Sequence, residues 1–367
     1  MEQSEVAPAV RRRRGKAAWT LLLLAPICGE LTFSAVGMPI MWLVFPALIP
    51  MYGAGVLLVR ELVVRAGGGW PSLILMGLVY ELAEDGFGLQ ALTSTTMYNA
   101  DEWGSRLLGF NATYWETQAG YHIVFSVMIP IVITDLLFPE LKQRSYLRRR
   151  GLVGVSLTAL AGLALARVTF SATEDPGYQA PIGFSIGLVI VMIILSFVAL
   201  RILSNRVLPA GPLLQVSGNH RAPATIVIGP VAGVATLAFL CLLFPRGNPP
   251  EGPALGEGVS VYLSMAAAAA VAVGVSMLIR RWSSSSDWTD RHLIWLVGGA
   301  LVGHTAAMVL MVLIDPPDTP TTIAAVTTGT LVIIVTAVLL TRLSGRVLLR
   351  EQARHDLTTP ATLSGHE

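Results

Sequence analysis

The sequence predicts an all-α fold, a polytopic transmembrane helical bundle of about ten helices with both termini cytoplasmic. Three observations predict it. Apolar residues make up 53% of the 367-residue chain and charged residues 13%, with a mean hydropathy of +0.65. Soluble domains carry about 25% charged residues, so this chain lacks the polar surface to coat a globule of its size. Its apolar residues also come in blocks of about twenty, the length that crosses ~30 Å of hydrocarbon. Finally, a net charge of only +2 hides a strong ordering of Lys and Arg along the chain. These features exclude a soluble enzyme, a nucleic-acid binder and a disulfide-stapled secreted domain.

Cut at charges and Pro/Gly clusters, the apolar blocks are 17–36, 45–64, 70–90, 119–139 and 151–170, followed by 182–200, 222–244, 258–279, 292–314 and 323–341. With the N-terminus inside, the cytoplasmic stretches hold 22 of the 25 basic residues, and only Arg106, Arg167 and Arg246 lie outside. Cytoplasmic loops carry such an excess of Lys and Arg. One miscounted helix would invert every later loop and erase the asymmetry. The chain then divides into a basic cytoplasmic segment 1–16, a four-helix polar module 17–139, a six-helix apolar module 151–341 and a cytoplasmic tail 342–367, expected to be disordered beyond Arg350.

Arg11 to Arg14 lead into an uncleaved first helix, because no small-residue cleavage site follows them. Lys16 and Lys142 are the only lysines, and this arginine bias with abundant Ala and Gly points to a bacterial chain of the plasma (inner) membrane. Cys28 and Cys241 both fall inside spans, so no disulfide framework or metal-thiolate motif exists. Asn111-Ala112-Thr113 matches a glycosylation sequon by chance. The longest loop, 91–118, carries Tyr98, Trp103, Tyr114 and Trp115. Such rings ordinarily form the belt at headgroup level, with a lid over a site as the sharper alternative. Residues 246–253 and 283–286 read as connectors. Gly298, Gly299 and Gly303 allow close helix packing and need no functional explanation.

An ionisable side chain within a bilayer costs ~3 kcal/mol or more, so each one is a functional candidate. Glu30, Glu81, Glu84, Asp85 and Asp135 all lie in the first four spans, together with His122. The later spans contain no acid, and His304 is their one ionisable residue at mid-span. At ~1.5 Å per residue, Glu30 lies about 20 Å and Glu84 about 21 Å from the inner end of its helix, and His122 ~5 Å below the outer end of its own. These three share the outer third of the membrane. Asp135 lies near the inner surface, where Lys142 and Arg144 are its expected partners. Arg60, Glu61 and Arg65 read as anchors at the inner interface whose heads reach water. Glu81, Glu84, Asp85 and Gly88 recur at three- and four-residue spacing and share one helix face, as do His122 and Ser126. Adjacent carboxylates in a poor dielectric cannot all ionise, so at least one is expected to keep its proton. Such a group suits a general acid or base, a proton carrier, or one side of a site for a divalent metal. The competing assignments are a hydrated helix end for Glu84 and Asp85, a buried structural pair for Glu30, and hydrogen-bonded packing for His122 and His304.

The stretch from Tyr80 to Gln90 (Tyr-Glu-Leu-Ala-Glu-Asp-Gly-Phe-Gly-Leu-Gln), followed by His122, resembles the CAAX-protease and bacteriocin-processing family of intramembrane proteases. That family carries paired acids and an Arg on one helix, a Phe-x-x-x-His on a later one, and a further His-containing motif. The resemblance covers 70–139 and matches Glu84-Asp85 to the paired acids and His122 to the first histidine. It implies that the leading acid activates a water and that the histidines position the reacting group. Leu89 stands in place of the Arg, Gln118 in place of the Phe, and Met308 in place of the polar residue that follows the later histidine.

Three functions follow as expectations. One is an intramembrane enzyme in which Glu84, with Asp85 or Glu30, polarises a water and His122 assists, acting on a lipid-linked molecule or transmembrane peptide among the membrane lipids. The second is a proton- or cation-coupled transporter, with Pro26, Pro39, Pro46, Pro50 and Pro130 breaking helices near the site. The third is a non-catalytic membrane subunit. No nucleotide-binding loop or haem motif exists in the sequence, and no cofactor is required by it.

Overall fold

A computed structural model describes residues 2–98, 104, 106–204, 221–244 and 259–358. Ten long helices follow one another: α1 (2–31), α2 (Met41–Ala66), α3 (70–88), α4 (Ala112–Leu137), α5 (Arg149–Glu174), α6 (Ile182–Ile202), α7 (Thr225–Leu243), α8 (Val259–Ser283), α9 (Asp290–Ile314) and α10 (Thr319–Thr358). Eight of them are long and apolar enough to cross a membrane. The other two, α1 and α3, carry too much charge to qualify, through Arg14, Lys16 and Glu30 in the first and Glu81, Glu84 and Asp85 in the second. The expected bundle is thus present, and the ionisable residues themselves set these two helices apart.

Several boundaries move. Helix α4 begins at Ala112 rather than 119, because the buried Asn111 caps it by accepting a hydrogen bond from the Tyr114 amide at 3.0 Å. That burial and capping also leave the Asn111 sequon no room for a glycan. Helix α10 runs on to Thr358, well past the expected end at 341, since nothing in 342–358 breaks a helix. Between α2 and α3, Gly67 takes the left-handed conformation at φ 75° and Pro71 stands in the first turn of α3, a sharp stop followed by a preset start. The connector expected at 246–253, the loop residues Asp101, Glu102 and Trp103, and the tail after 358 lie outside the described residues.

Helix α4 is the centre of the bundle: 67% of its apolar stretch is buried, against 11% for α5, α6, α8 and α10, whose apolar faces point outward. One core gathers Leu21, Val56, Met76, Val127, Ala166 and Leu188 from α1 to α6. A second joins Cys28 and Phe125 to Ile294, Leu301 and Leu343 of α9 and α10. A third places Phe33 and Tyr121 against Leu240 of α7 and Ala307 of α9. Close approach depends on glycine at several crossings. A Cβ on Gly162 of α5 would collide with the Pro50–Met51 backbone of α2, and one on Gly299 of α9 with the Gly229 carbonyl of α7. Gly298, Gly299 and Gly303 therefore serve packing, as expected.

At one end of the bundle Arg60 is 1% exposed and Glu61 0%, so neither reaches water as an interfacial anchor. The physical reason is the segment 138–148, which folds over the helix ends and supplies the partners water would have supplied. Arg60 donates to the carbonyls of Leu141 (2.9 Å), Lys142 (3.1 Å) and Arg144 (3.3 Å), and to the Asp135 carboxylate at 3.1 Å. Its guanidinium lies 3.5 Å over the Tyr146 ring. Glu61 accepts from the amides of Tyr146 (2.6 Å) and Leu147 (3.3 Å) and from Arg65 (3.1 Å). Asp135 does find a basic partner, but on α2 rather than in its own following loop. Removing one side of a buried pair leaves an uncompensated charge and costs ~3–5 kcal/mol, whereas an exposed pair is worth ~1 kcal/mol or less. Arg60→Ala should therefore lower the thermal unfolding midpoint of the detergent-solubilised protein far more than Arg13→Ala, which breaks the exposed Arg13–Glu140 pair at 3.0 Å; equal losses would contradict this packing.

Candidate functional site

Four helices converge toward the opposite end, and each carries a π-helical turn at the point where it presents a polar side chain. The turns are Ile27–Leu31 with Glu30 on α1, Ile49–Gly53 with Tyr52 on α2, Glu84–Gly88 with Glu84 and Asp85 on α3, and His122–Met128 with His122 and Ser126 on α4. The cause is legible locally. Pro26 precedes the first turn, Pro50 lies in the second and Pro130 just follows the fourth. Each lacks an N–H, so the ladder resumes with a wider step. The third turn has Gly86 and Gly88 instead. π-Turns inside α-helices occur frequently at functional sites.

The sequence-derived candidates do come together. Glu30, Glu81, Glu84, Asp85 and His122 are each 9% exposed or less. Glu30 accepts a 2.6 Å hydrogen bond from Tyr52 Oη and lies 3.4 Å from Tyr121 Oη, which donates to the Gly29 carbonyl at 2.5 Å. His122 sits between two acids, with Nδ1 3.6 Å from Glu84 Oε2 and Nε2 3.8 Å from Asp85 Oδ2. Its Nδ1 also lies 3.0 Å from Ser126 Oγ, the pair that the four-residue spacing predicts. Asp85 accepts from Tyr114 Oη at 2.9 Å, and Gln118 supports that hydroxyl at 3.0 Å.

Neither oxygen of Glu81 or Glu84 has a hydrogen-bond partner, nor does Asp85 Oδ2. The hydroxyls of Tyr52 and Tyr80 face Glu84, and Trp115 faces Glu81. Among the described residues no Lys or Arg pairs with these acids. Nor do the described residues hold a group of three or more His, Cys, Asp and Glu placed to bind a metal ion. Asp135 belongs to the Arg60 network and takes no part.

Helix α3 does not stop before Gly86, so Glu84 and Asp85 do not cap a hydrated end. The loop aromatics depart from the interfacial belt in the same way. Tyr114 is fully buried on Asp85, and Tyr98 stacks on Tyr114 with centroids 6.0 Å apart. Their segment is a cover. Leu92 accepts from the Asn111 amide at 3.0 Å, and a two-stranded hairpin, Arg106–Leu107 with Phe110–Asn111, is tied back by Arg106 to the carbonyls of Thr93 (3.0 Å) and Ser94.

Sequence reasoning missed the tyrosines and underused His304. His304 is hydrogen-bonded packing as expected, with Nδ1 3.1 Å from Thr32 Oγ1 and its ring stacked on Phe125 (3.8 Å) and Phe33 (4.6 Å). Yet the Tyr121 ring lies 5.1 Å from His122 and 4.9 Å from His304, so both imidazoles border one aromatic wall. His304 Nε2 is buried without a partner. The signal for Tyr52, Tyr80 and Tyr121 was available: a buried phenol needs a hydrogen-bond partner, and three of them lie in acid-bearing or neighbouring spans.

A model of an uncharacterized membrane protein family matches residues 20–342. No curated protein and no solved structure matches the chain.

The Tyr52–Glu30 bond joins two helices inside the bundle, where a buried acceptor deprived of its donor costs ~1–3 kcal/mol. A double-mutant cycle of Tyr52→Phe and Glu30→Gln, read by thermal unfolding in detergent, should give a coupling of about 1 kcal/mol or more. Strictly additive losses would show that the two side chains do not meet.

Proposed function

The chain belongs to that uncharacterized membrane protein family and is a multi-pass membrane protein, and on this premise we propose that it is an intramembrane hydrolase. Its reaction would be cleavage of an ester or amide in a lipid-linked molecule or transmembrane peptide, in the plasma membrane of a bacterium. The carrying observation is the buried Glu84 carboxyl, with neither oxygen hydrogen-bonded and the His122 imidazole 3.6 Å away. In this reading Glu84 takes a proton from water as the water oxygen attacks the carbonyl carbon. That proton passes from Glu84 to His122, held by Ser126, which hands it to the departing nitrogen or oxygen, so the carbon–heteroatom bond breaks and an acid and an amine or alcohol are released. Tyr80, whose hydroxyl faces Glu84 and has no other partner, is placed to donate to the developing oxyanion. The order of elements, with acids on α3, His122 on α4 and His304 on α9 beside one tyrosine, also supports kinship of this site with the CAAX-protease pattern.

A second reading, proton-coupled transport, is favoured by one observation: Asp85, His122, Glu84, Tyr52 and Glu30 follow one another as neighbouring proton-bearing groups across four helices, with gaps of 3.6 and 3.8 Å on either side of His122. Proton flux in proteoliposomes that is indifferent to both Glu30→Gln and Glu84→Gln would remove it.

Hydrolysis can be read without knowing the substrate. The protein in nanodiscs, incubated with a membrane extract in H2(18)O, should place heavy oxygen in the carboxyl group of at least one species. Glu84→Gln and His122→Asn should lower that incorporation about 100-fold or more, the usual worth of a general acid or base. No labelled species above the protein-free control would refute the hydrolase.

A further inference from the structure

Helices α7 and α8 lie antiparallel and leave between them an open groove of about 510 Å³. Its walls are Pro230, Val234 and Ala238 on α7 and Ala270, Gly274 and Leu278 on α8, each set spaced by four residues so that it forms one straight stripe. The lining is almost wholly apolar, and no water-seeking group faces it. The eight steps from Pro230 to Ala238 span about 12 Å at the α-helical rise, comparable to the half-thickness of a ~30 Å hydrocarbon core.

The two ends of the groove differ. Near Pro230 and Leu278, the Ala222 amide donates to Asp287 Oδ1 at 2.9 Å and ties the start of α7 to the loop after α8. This tie brings Arg221 to the same end as Arg280 and Arg281, which follow Leu278 within a turn. All three arginines are exposed, and among the described residues none forms an ion pair. Toward Ala238 and Ala270 the groove meets no charged side chain among the described residues.

We infer that this groove is a binding site for an anionic phospholipid, whose acyl chain lies along the Gly274 stripe and whose phosphate sits among Arg221, Arg280 and Arg281. An apolar slot one leaflet deep with a cluster of unpaired cations at one mouth matches a lipid of negative headgroup and discriminates against a zwitterionic one. The site is independent of the acidic centre, since α7 and α8 contribute no ionisable side chain there, and it stands whether or not the hydrolase reading does.

Native mass spectrometry of the full-length protein released from nanodiscs of equal phosphatidylglycerol and phosphatidylcholine tests it. The wild type should retain one phosphatidylglycerol, enriched over phosphatidylcholine by about fivefold for each arginine engaged. Arg280→Gln with Arg281→Gln should keep a bound lipid but return its composition toward the bulk mixture. Gly274→Phe should lose the lipid, and nothing lies within 4 Å of the position its Cβ would take, so the helix pair tolerates it. A phenylalanine variant that binds as the wild type does, or a wild type whose lipids mirror the bulk mixture, overturns the site. A second measurement needs no groove variant: brominated phosphatidylglycerol should quench Trp282, one turn past Leu278, more than brominated phosphatidylcholine does, with Trp282→Phe as the blank. Equal quenching by the two lipids counts against it.

Discussion

Carboxyl groups are expensive to keep away from water, and this bundle is organised around giving them company. Burying an unpaired charge costs several kcal/mol, so an interior that holds Glu30, Glu81, Glu84 and Asp85 together must supply donors, protons or both. The protein supplies phenols and an imidazole: Tyr52 for Glu30, Tyr114 for Asp85, and His122 between Glu84 and Asp85. Among the described residues it supplies no arginine there. The contrast with the other end of the bundle is instructive, because Arg60 meets Asp135 and three carbonyls and leaves its neighbours few unmet needs. One polar network is structural and nearly closed, with Arg60 Nε its one unmet donor among the described atoms. The other is left with unpaired oxygens on Glu81, Glu84 and Asp85, and such incompleteness marks a place where something further binds or moves.

Backbone geometry serves the same end. A regular α-helix would carry Tyr52 or His122 to faces fixed by a 3.6-residue turn, whereas a π-turn shifts the register by one residue and re-aims the side chains beyond it. Proline beside three of these turns and glycine in the fourth let the four helices bend where they meet. Close helix approach completes the enclosure: a Cβ on Gly29 would lie 2.7 Å from Ser126 Oγ, so α1 and α4 touch beside His122. The cover formed by 89–98 and the 106–111 hairpin shuts this end of the bundle through Tyr98 and Tyr114.

Much of this was legible in the residues and some was not. Helix number and the gathering of acids in the first four spans followed from hydropathy and charge, because a bilayer punishes both errors severely. The face shared by His122 and Ser126 followed from helical spacing. Burial of Arg60 and Glu61 did not, because it depends on a loop folding back over helix ends, and no local pattern announces that. Tyr114 was misplaced for a related reason: an aromatic near a span boundary looks the same whether its hydroxyl meets a headgroup or an aspartate. His304, nearly 200 residues from His122 in sequence, reaches the same wall only through the packing of α9 on α1 and α4, a tertiary fact.

Acids on two separate helices and one histidine on a third form a single interacting centre. Infrared difference spectroscopy of the wild type against Glu84→Gln, in lipid nanodiscs, tests it most directly. The account predicts that losing Glu84 also displaces the carboxyl bands of Glu30 and Asp85, assigned through their own Gln and Asn variants. A difference spectrum containing the band of Glu84 alone, with the other two unmoved, would contradict it.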